Sequence, residues 1–193
     1  NMEINTRSQN FFCKCSMNFI FAILFLFIFT ASYAQVDTTK VVDYNHVKIV
    51  KVIDGDTFVL ENGEHVRLLG IDTPEKWPSK KMDSDAERSK KDKEVIKKLG
   101  ELASLYSDSL LFGKYVNLLA DSTNSDRDKY NRLLRYTYLE NGELFNLKII
   151  QDGYAYAYTR FPIIYLEQFR EAEKKARENK RGLWGDIDFQ EMK

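Results

Sequence analysis

Apolar and polar residues alternate from His46 to Ile53, with Val47, Ile49 and Val52 carrying the pattern, and this predicts a β-strand. A second short strand is predicted over Thr57 to Leu60. Glu61-Asn62-Gly63 reads as a hairpin turn of the Asn-Gly kind, returning the chain antiparallel into a third strand from His65 to Ile71. Further on the period changes. Val95, Ile96, Leu99, Leu102, Leu105, Tyr106 and Leu110 follow helical spacing up to a stop at Gly113. Lys114 to Ala120 predicts a fourth strand, 121–130 a polar loop, and Leu133 to Leu139 a fifth strand closed by an Asn141-Gly142 turn. A helix is predicted over Glu143 to Asp152, stopping at Gly153. A last amphipathic helix, marked by Leu166, Phe169, Ala172 and Ala176, ends near Gly182, with Leu183 and Trp184 folding back onto the core. Five short strands, with helices after the third and fifth and about three helices in all, predict an α+β fold built on a five-stranded OB-type barrel.

Ahead of this pattern lies an almost wholly apolar run, Asn18 to Thr30, with five Phe. It is short for a membrane span, which needs about 20 apolar residues. Arg7 and Lys14 precede it and Ser32-Tyr33-Ala34 follows, the layout of a secretory signal peptide cut after Ala34. An uncleaved anchor is the alternative. The expected plan is a leader over 1–34, a polar tail over 35–45, an OB-type domain over 46–187 and a C-terminal tail over 188–193. Both cysteines, Cys13 and Cys15, fall in the leader, so the mature chain would contain none and its stability would rest on its core. Cleavage would leave 159 residues with 27 basic and 28 acidic side chains, a formal net charge of −1. A polyanionic partner must then be held by local positive charge, not by a basic surface overall. The expected location is secreted or periplasmic.

The chemistry concentrates in two strings, Asp54-Gly55-Asp56-Thr57 and Arg67-Leu68-Leu69-Gly70-Ile71-Asp72-Thr73-Pro74-Glu75. Each follows or lies in a strand-like run, so its acidic residues are expected at strand ends or in the turns beyond. The two strings sit at opposite ends of adjacent strands or are brought together by curling of the sheet. Carboxylates and an arginine meeting on one patch can hold a hard divalent cation and neutralise a phosphate. Arg67 lies inside an apolar strand, where an unpartnered charge is costly, and this favours a functional role. Asp54 reads as a turn residue capping backbone.

Further blocks follow in order: Asp128-Lys129-Tyr130-Asn131-Arg132, Gln151-Asp152-Gly153-Tyr154-Ala155 and Arg181-Gly182-Leu183-Trp184. With the two acidic strings they give the chain, over about residues 46–185, a close resemblance to the thermonuclease, or staphylococcal-nuclease-like, family. The resemblance implies an OB-type barrel and a calcium-dependent endonuclease that cleaves single-stranded or loosened DNA and RNA, leaving 3′-phosphate ends. It implies that Asp56, Asp72 and the Thr73 carbonyl hold one Ca2+. Glu75 would stand near the attacking water, as general base or as its orienting group. Arg67 and Arg132 would grip the phosphate. No stable protein partner is implied, and the protein is expected to be a monomer. The chemistry agrees with these residue types: calcium accepts irregular oxygen sets, and charge growing on a phosphoryl group needs cations on both sides.

Three features depart from the family pattern. Asn131 stands where glycine is common, and asparagine tolerates a left-handed turn better than most residues. The segment from Lys76 to Gly100 is longer than in the smallest relatives. The region Tyr154 to Tyr158 aligns ambiguously, which leaves core packing and base stacking open for Tyr154, Tyr156 and Tyr158. The run from Ser79 to Lys98, with eight basic and five acidic residues, reads as a solvated helix face. Lys129 reads as surface charge or a weak phosphate contact. His46 and His65 read as surface strand residues without partners for a metal or triad. Two rival functions remain at this level, a noncatalytic OB-type nucleic-acid-binding module and a calcium-dependent phosphodiesterase for small nucleotides.

Overall fold

The alternating pattern runs further than its clearest stretch. In the computed structural model, which describes residues 42–89 and 92–185, the first strand is β1, Val42–Asp54. The expected polar tail therefore ends earlier, since Val42 and Tyr44 already pair with Leu119 and Leu118. The expected leader over 1–34 and the C-terminal tail over 188–193 lie outside the described residues.

β1 is followed by β2 (Thr57–Leu60), β3 (His65–Leu68), β4 (Ile71–Asp72), β5 (Tyr115–Leu119), β6 (Leu133–Leu139) and β7 (Tyr156–Ala157). Five of them close into a barrel in the order β1-β2-β3-β6-β5. Register shifts along β1 let one long strand bend and serve both β2 and β5. His46 lies at one such irregularity, at φ 51°, with its ring stacked 4.2 Å from that of Tyr115. Closure comes from a parallel pairing of β3 with β6, Val66 opposite Leu133 and Arg67 opposite Leu134.

The third strand is shorter than its apolar run suggested. It breaks after Leu68, and Gly70 takes φ 71°. A side chain at Gly70 would bring its Cβ within 2.3 Å of Ile163 Cδ1 and 2.8 Å of Phe169 Cε2, so glycine is needed for both the turn and the contact. Ile71 and Asp72 then leave the barrel and pair with β7.

Four α-helices are described where about three were expected. The charged run does not lead into one long helix but folds separately as α1, Lys80–Ser89, ahead of α2, Lys93–Leu111. α3 spans Phe145–Gln151 and α4 spans Leu166–Glu178, and a short 3-10 turn, Gly182–Trp184, follows. The main core joins Ile49, Phe58, Val66 and Leu118 of the barrel to Phe145 and Ile149 of α3 and Phe169 of α4. A second cluster holds Met82 of α1 against Ile96 and Leu99 of α2 and against Leu183, which folds back as expected. Met82 and Ala86, one turn apart, face this cluster, and so fix which flank of α1 turns toward the barrel.

One buried polar side chain ties the layers together. Asn146, fully buried, accepts a hydrogen bond from Thr137 N at 2.8 Å and donates to Leu69 O at 2.9 Å and Arg135 O at 3.3 Å. It fastens α3 to β6 and to the turn that precedes Gly70.

Candidate active site

The register of the first hairpin joins the two acidic strings. Thr57 pairs with Arg67, so the start of β2 lies beside the end of β3. Antiparallel pairing alone brings the strings to the same end of the hairpin, and the alternative of opposite ends does not occur. The turn before β2 is also pressed against the second string. A Cβ on Gly55 would stand 2.7 Å from Thr73 Cγ2, so the Asp-Gly-Asp spacing is what permits this approach.

Four expected residues form one connected group. Asp56 Oδ2 lies 2.8 Å from Arg67 Nη1, and it accepts hydrogen bonds from Thr73 N at 3.2 Å and Thr73 Oγ1 at 3.1 Å. Arg67 Nη2 reaches Asp72 Oδ1 at 3.3 Å. Asp56, Asp72 and Thr73 are all buried. Glu75 joins this group through Lys81, whose Nζ stands 3.2 Å from Glu75 Oε1, 3.2 Å from Asp72 Oδ1 and 2.5 Å from the Thr73 carbonyl oxygen. The backbone beside Glu75 is anchored from both sides, because Lys76 Nζ donates to Ile53 O and, at 2.9 Å, to Ser104 Oγ of α2.

Arg132 stands on the other side. Asp128 holds its guanidinium, with Nε donating to Oδ2 at 2.8 Å and Nη2 at 2.7 Å. Its Nη1 reaches Thr57 Oγ1 at 3.3 Å, and that hydroxyl in turn donates to Asp56 Oδ1 at 2.9 Å. Both arginines line a cleft of about 890 Å³, together with Asp72, Lys81, Tyr130 and Tyr158. Asn131 does adopt the left-handed turn, at φ 64°. Asn131→Gly should therefore leave stability unchanged or raised, whereas Asn131→Val should cost about 1–2 kcal/mol. Chemical denaturation of the two variants checks this, and equal stabilities would contradict it.

The aromatic residues divide. Tyr154 stacks on Tyr106 at 4.5 Å, and Tyr156 packs edge-on against Trp184 at 5.3 Å, so both belong to packing. Tyr158 faces the cleft, near Phe161 and beneath Arg160. Lys129 lines the cleft and lies over the Tyr130 ring. His65 is an exposed strand residue, and Asp54 accepts a hydrogen bond from Asp56 N at 3.1 Å, the expected turn cap.

The site is rich in acidic groups. Asp54, Asp56, Asp72, Glu75 and Asp85 gather around two cations, Arg67 and Lys81. Burial, and then the neighbouring Asp56 charge, push Asp54 up to about 7. Burial likewise raises Asp72 against the pull of Lys81 and Arg67. At Asp56 burial is outweighed by Arg67 and by the hydrogen bonds it receives, and its carboxyl is held low. Burial opposes the Lys81 charge, but Asp72, Asp56, Glu75 and Asp85 together outweigh it and hold the ammonium above the ordinary lysine value.

The donor set fits a hard cation. An ammonium already sits among the Asp72 carboxylate, the Thr73 carbonyl and the Glu75 carboxylate, all oxygen. Among the described residues no three His, Cys, Asp or Glu side chains group so as to hold a metal by themselves. A metal here would rely on two carboxylates, a carbonyl and water, which calcium accepts.

A family model described as staphylococcal nuclease homologue matches residues 65–186. The chain belongs to the staphylococcal nuclease family. Its relatives in that family include a thermonuclease of Staphylococcus hyicus, 29% identical over 143 residues that cover 72% of this chain and 75% of the relative. A thermonuclease of Staphylococcus intermedius is 32% identical over 143 residues, 70% of this chain and 74% of its own. An uncharacterized protein of Methanocaldococcus jannaschii is 34% identical over 155 residues, 74% of this chain and 72% of its own. Against the family's motifs, two site residues were missed from sequence, Lys81 and Asp85. Their spacing of four within a helix was the available signal, but it looked like any surface ion pair of a charged run.

Proposed function

We propose that this protein is an exported, calcium-dependent nuclease that hydrolyses phosphodiester bonds of DNA and RNA, as a monomer and with preference for single strands. One observation carries the reading: Asp72 and the Thr73 carbonyl share one cation, Lys81, while Asp56 and Asp72 share Arg67, beside a cleft whose walls present Arg67 and Arg132. Endonucleases and thermonucleases among the relatives support the reaction class. The apolar run before Ala34 supports export.

Asp56, Asp72 and the Thr73 carbonyl would hold the ion. Bound there, calcium would supply positive charge to a phosphoryl oxygen. Arg67 and Arg132 bind the remaining phosphoryl oxygens with planar forks that keep their protons at any working pH. They also meet the charge that grows on those oxygens as water attacks. Glu75, its side chain 31% exposed, accepts a hydrogen bond from that water and turns the water's lone pair toward phosphorus. Tyr130 and Phe161 stand 68% and 60% exposed at the cleft, open to stacking by unpaired bases, and this supports the single-strand preference.

The test is digestion of plasmid, single-stranded DNA and RNA in calcium, in magnesium and in chelator. Calcium should support cleavage and magnesium should support it poorly, because magnesium demands stricter octahedral geometry. Binding without cleavage in calcium would favour the noncatalytic module. Equal turnover in both metals would overturn the assignment of the ion.

A further inference from the structure

The Lys81 ammonium reaches two of the three groups assigned to the ion. Its Nζ contacts the Thr73 carbonyl oxygen at 2.5 Å and Asp72 Oδ1 at 3.2 Å, and Glu75 Oε1 at 3.2 Å as well. Calcium would take the first two oxygens at about 2.3–2.6 Å. An ammonium and a metal ion cannot share that space, and their like charges would repel strongly at so short a distance. Lys81 is held there by construction, not by chance of a free surface chain. Met82 and Ala86 pack α1 against α2 and Leu183, which fixes the rotation of the helix, and Lys81 lies on the flank that reaches Asp72. The same helix carries an alternative partner: Asp85, buried and one turn on, has its Oδ2 3.7 Å from Lys81 Nζ.

We propose that Lys81 is an internal cation that fills the metal position of the metal-free protein, so that metal uptake is an exchange in which the ammonium gives up Asp72 and the Thr73 carbonyl and moves to Asp85. This rests on the assignment of the ion to Asp56, Asp72 and Thr73. The exchange has two consequences. In the absence of metal, Lys81 neutralises carboxylates that would otherwise repel one another, which keeps the empty site folded. It also weakens metal binding, because the ion must displace a cation already in place. The α1 helix, the charged segment that looked like a solvated surface, thereby sets the calcium concentration at which the site fills.

The experiment compares calcium affinity, by isothermal titration calorimetry, and melting temperature in chelator and in saturating calcium. The proteins are the wild type, Lys81→Met, Lys81→Gln and the exposed neighbour Lys80→Met. Both Lys81 variants should bind calcium more tightly, by about tenfold or more. They should also melt lower than wild type in chelator and gain more on adding calcium. Lys80→Met should match wild type in all three respects. If wild type and the Lys81 variants bind calcium with equal affinity, the exchange is wrong while the metal site stands. Weaker binding in the Lys81 variants would make Lys81 a support of the site and would also overturn the exchange. If no protein in the set takes up calcium, the metal assignment fails and the exchange fails with it.

Discussion

Arg67→Lys should lower turnover on single-stranded DNA and RNA by about 10²–10³ while the protein remains folded. The reason lies in the shape of the headgroup. One guanidinium spans two carboxylates, with Nη1 2.8 Å from Asp56 and Nη2 3.3 Å from Asp72, and Nη1 also donates to Leu68 O at 3.3 Å. A lysine ammonium is a compact point charge without the planar fork, and cannot span both carboxylates in that fixed geometry. It would keep the charge count of the site but lose the fixed plane that faces the cleft. Arg132→Lys should behave alike, since Asp128 orients the Arg132 fork through two nitrogens, Nε and Nη2. Initial rates in saturating calcium, set beside melting temperatures, separate lost chemistry from lost fold. A lysine variant that cuts at near the wild-type rate would remove that arginine from the phosphate.

The legible parts of this molecule are those governed by short-range rules. The Asn62-Gly63 turn makes a hairpin, the hairpin register sets Thr57 opposite Arg67, and from there Asp56 and Arg67 must be neighbours. The ordered blocks likewise mark Asp72, Glu75 and Arg132 without any structure. What stayed hidden depends on tertiary contacts. The sequence extends the third strand to Ile71 because that residue continues the apolar run, whereas Phe169 and Ile163, almost a hundred residues away, crowd Gly70 where the strand breaks. In sequence the separate helix α1 reads as part of a solvated run, because its one strongly apolar residue, Met82, has no meaning until Leu99 and Leu183 are placed beside it. Lys81 was invisible for the same reason. In sequence it is one of eight cations in a charged run, and only the burial of Met82 decides that it turns toward Asp72. Tyr158 was separable from Tyr154 and Tyr156 only by the cleft it borders.

Asn146→Leu should destabilise the protein by about 2–5 kcal/mol, the largest stability loss expected at this fold's centre. Leucine is apolar and cannot answer the groups that the amide serves. Thr137 N–H would lose its acceptor and Leu69 C=O its donor, both in the buried interior. Each buried group left unpaired costs about 1–3 kcal/mol. Arg135 C=O would be spared, because it also accepts from Leu69 N at 2.9 Å. The damage should extend to the site. Asn146 holds the turn at Leu69, and the next residue, Gly70, accepts from Tyr158 N at 2.8 Å, so loosening that turn releases the segment that brings Tyr158 to the cleft. Denaturant unfolding measures the first effect, and affinity for a short single strand, read on a Glu75→Gln background so that the strand survives, measures the second. A variant that lost less than about 1 kcal/mol would show that the two backbone groups find other partners, and Asn146 would then be packing rather than a pin between helix, barrel and cleft.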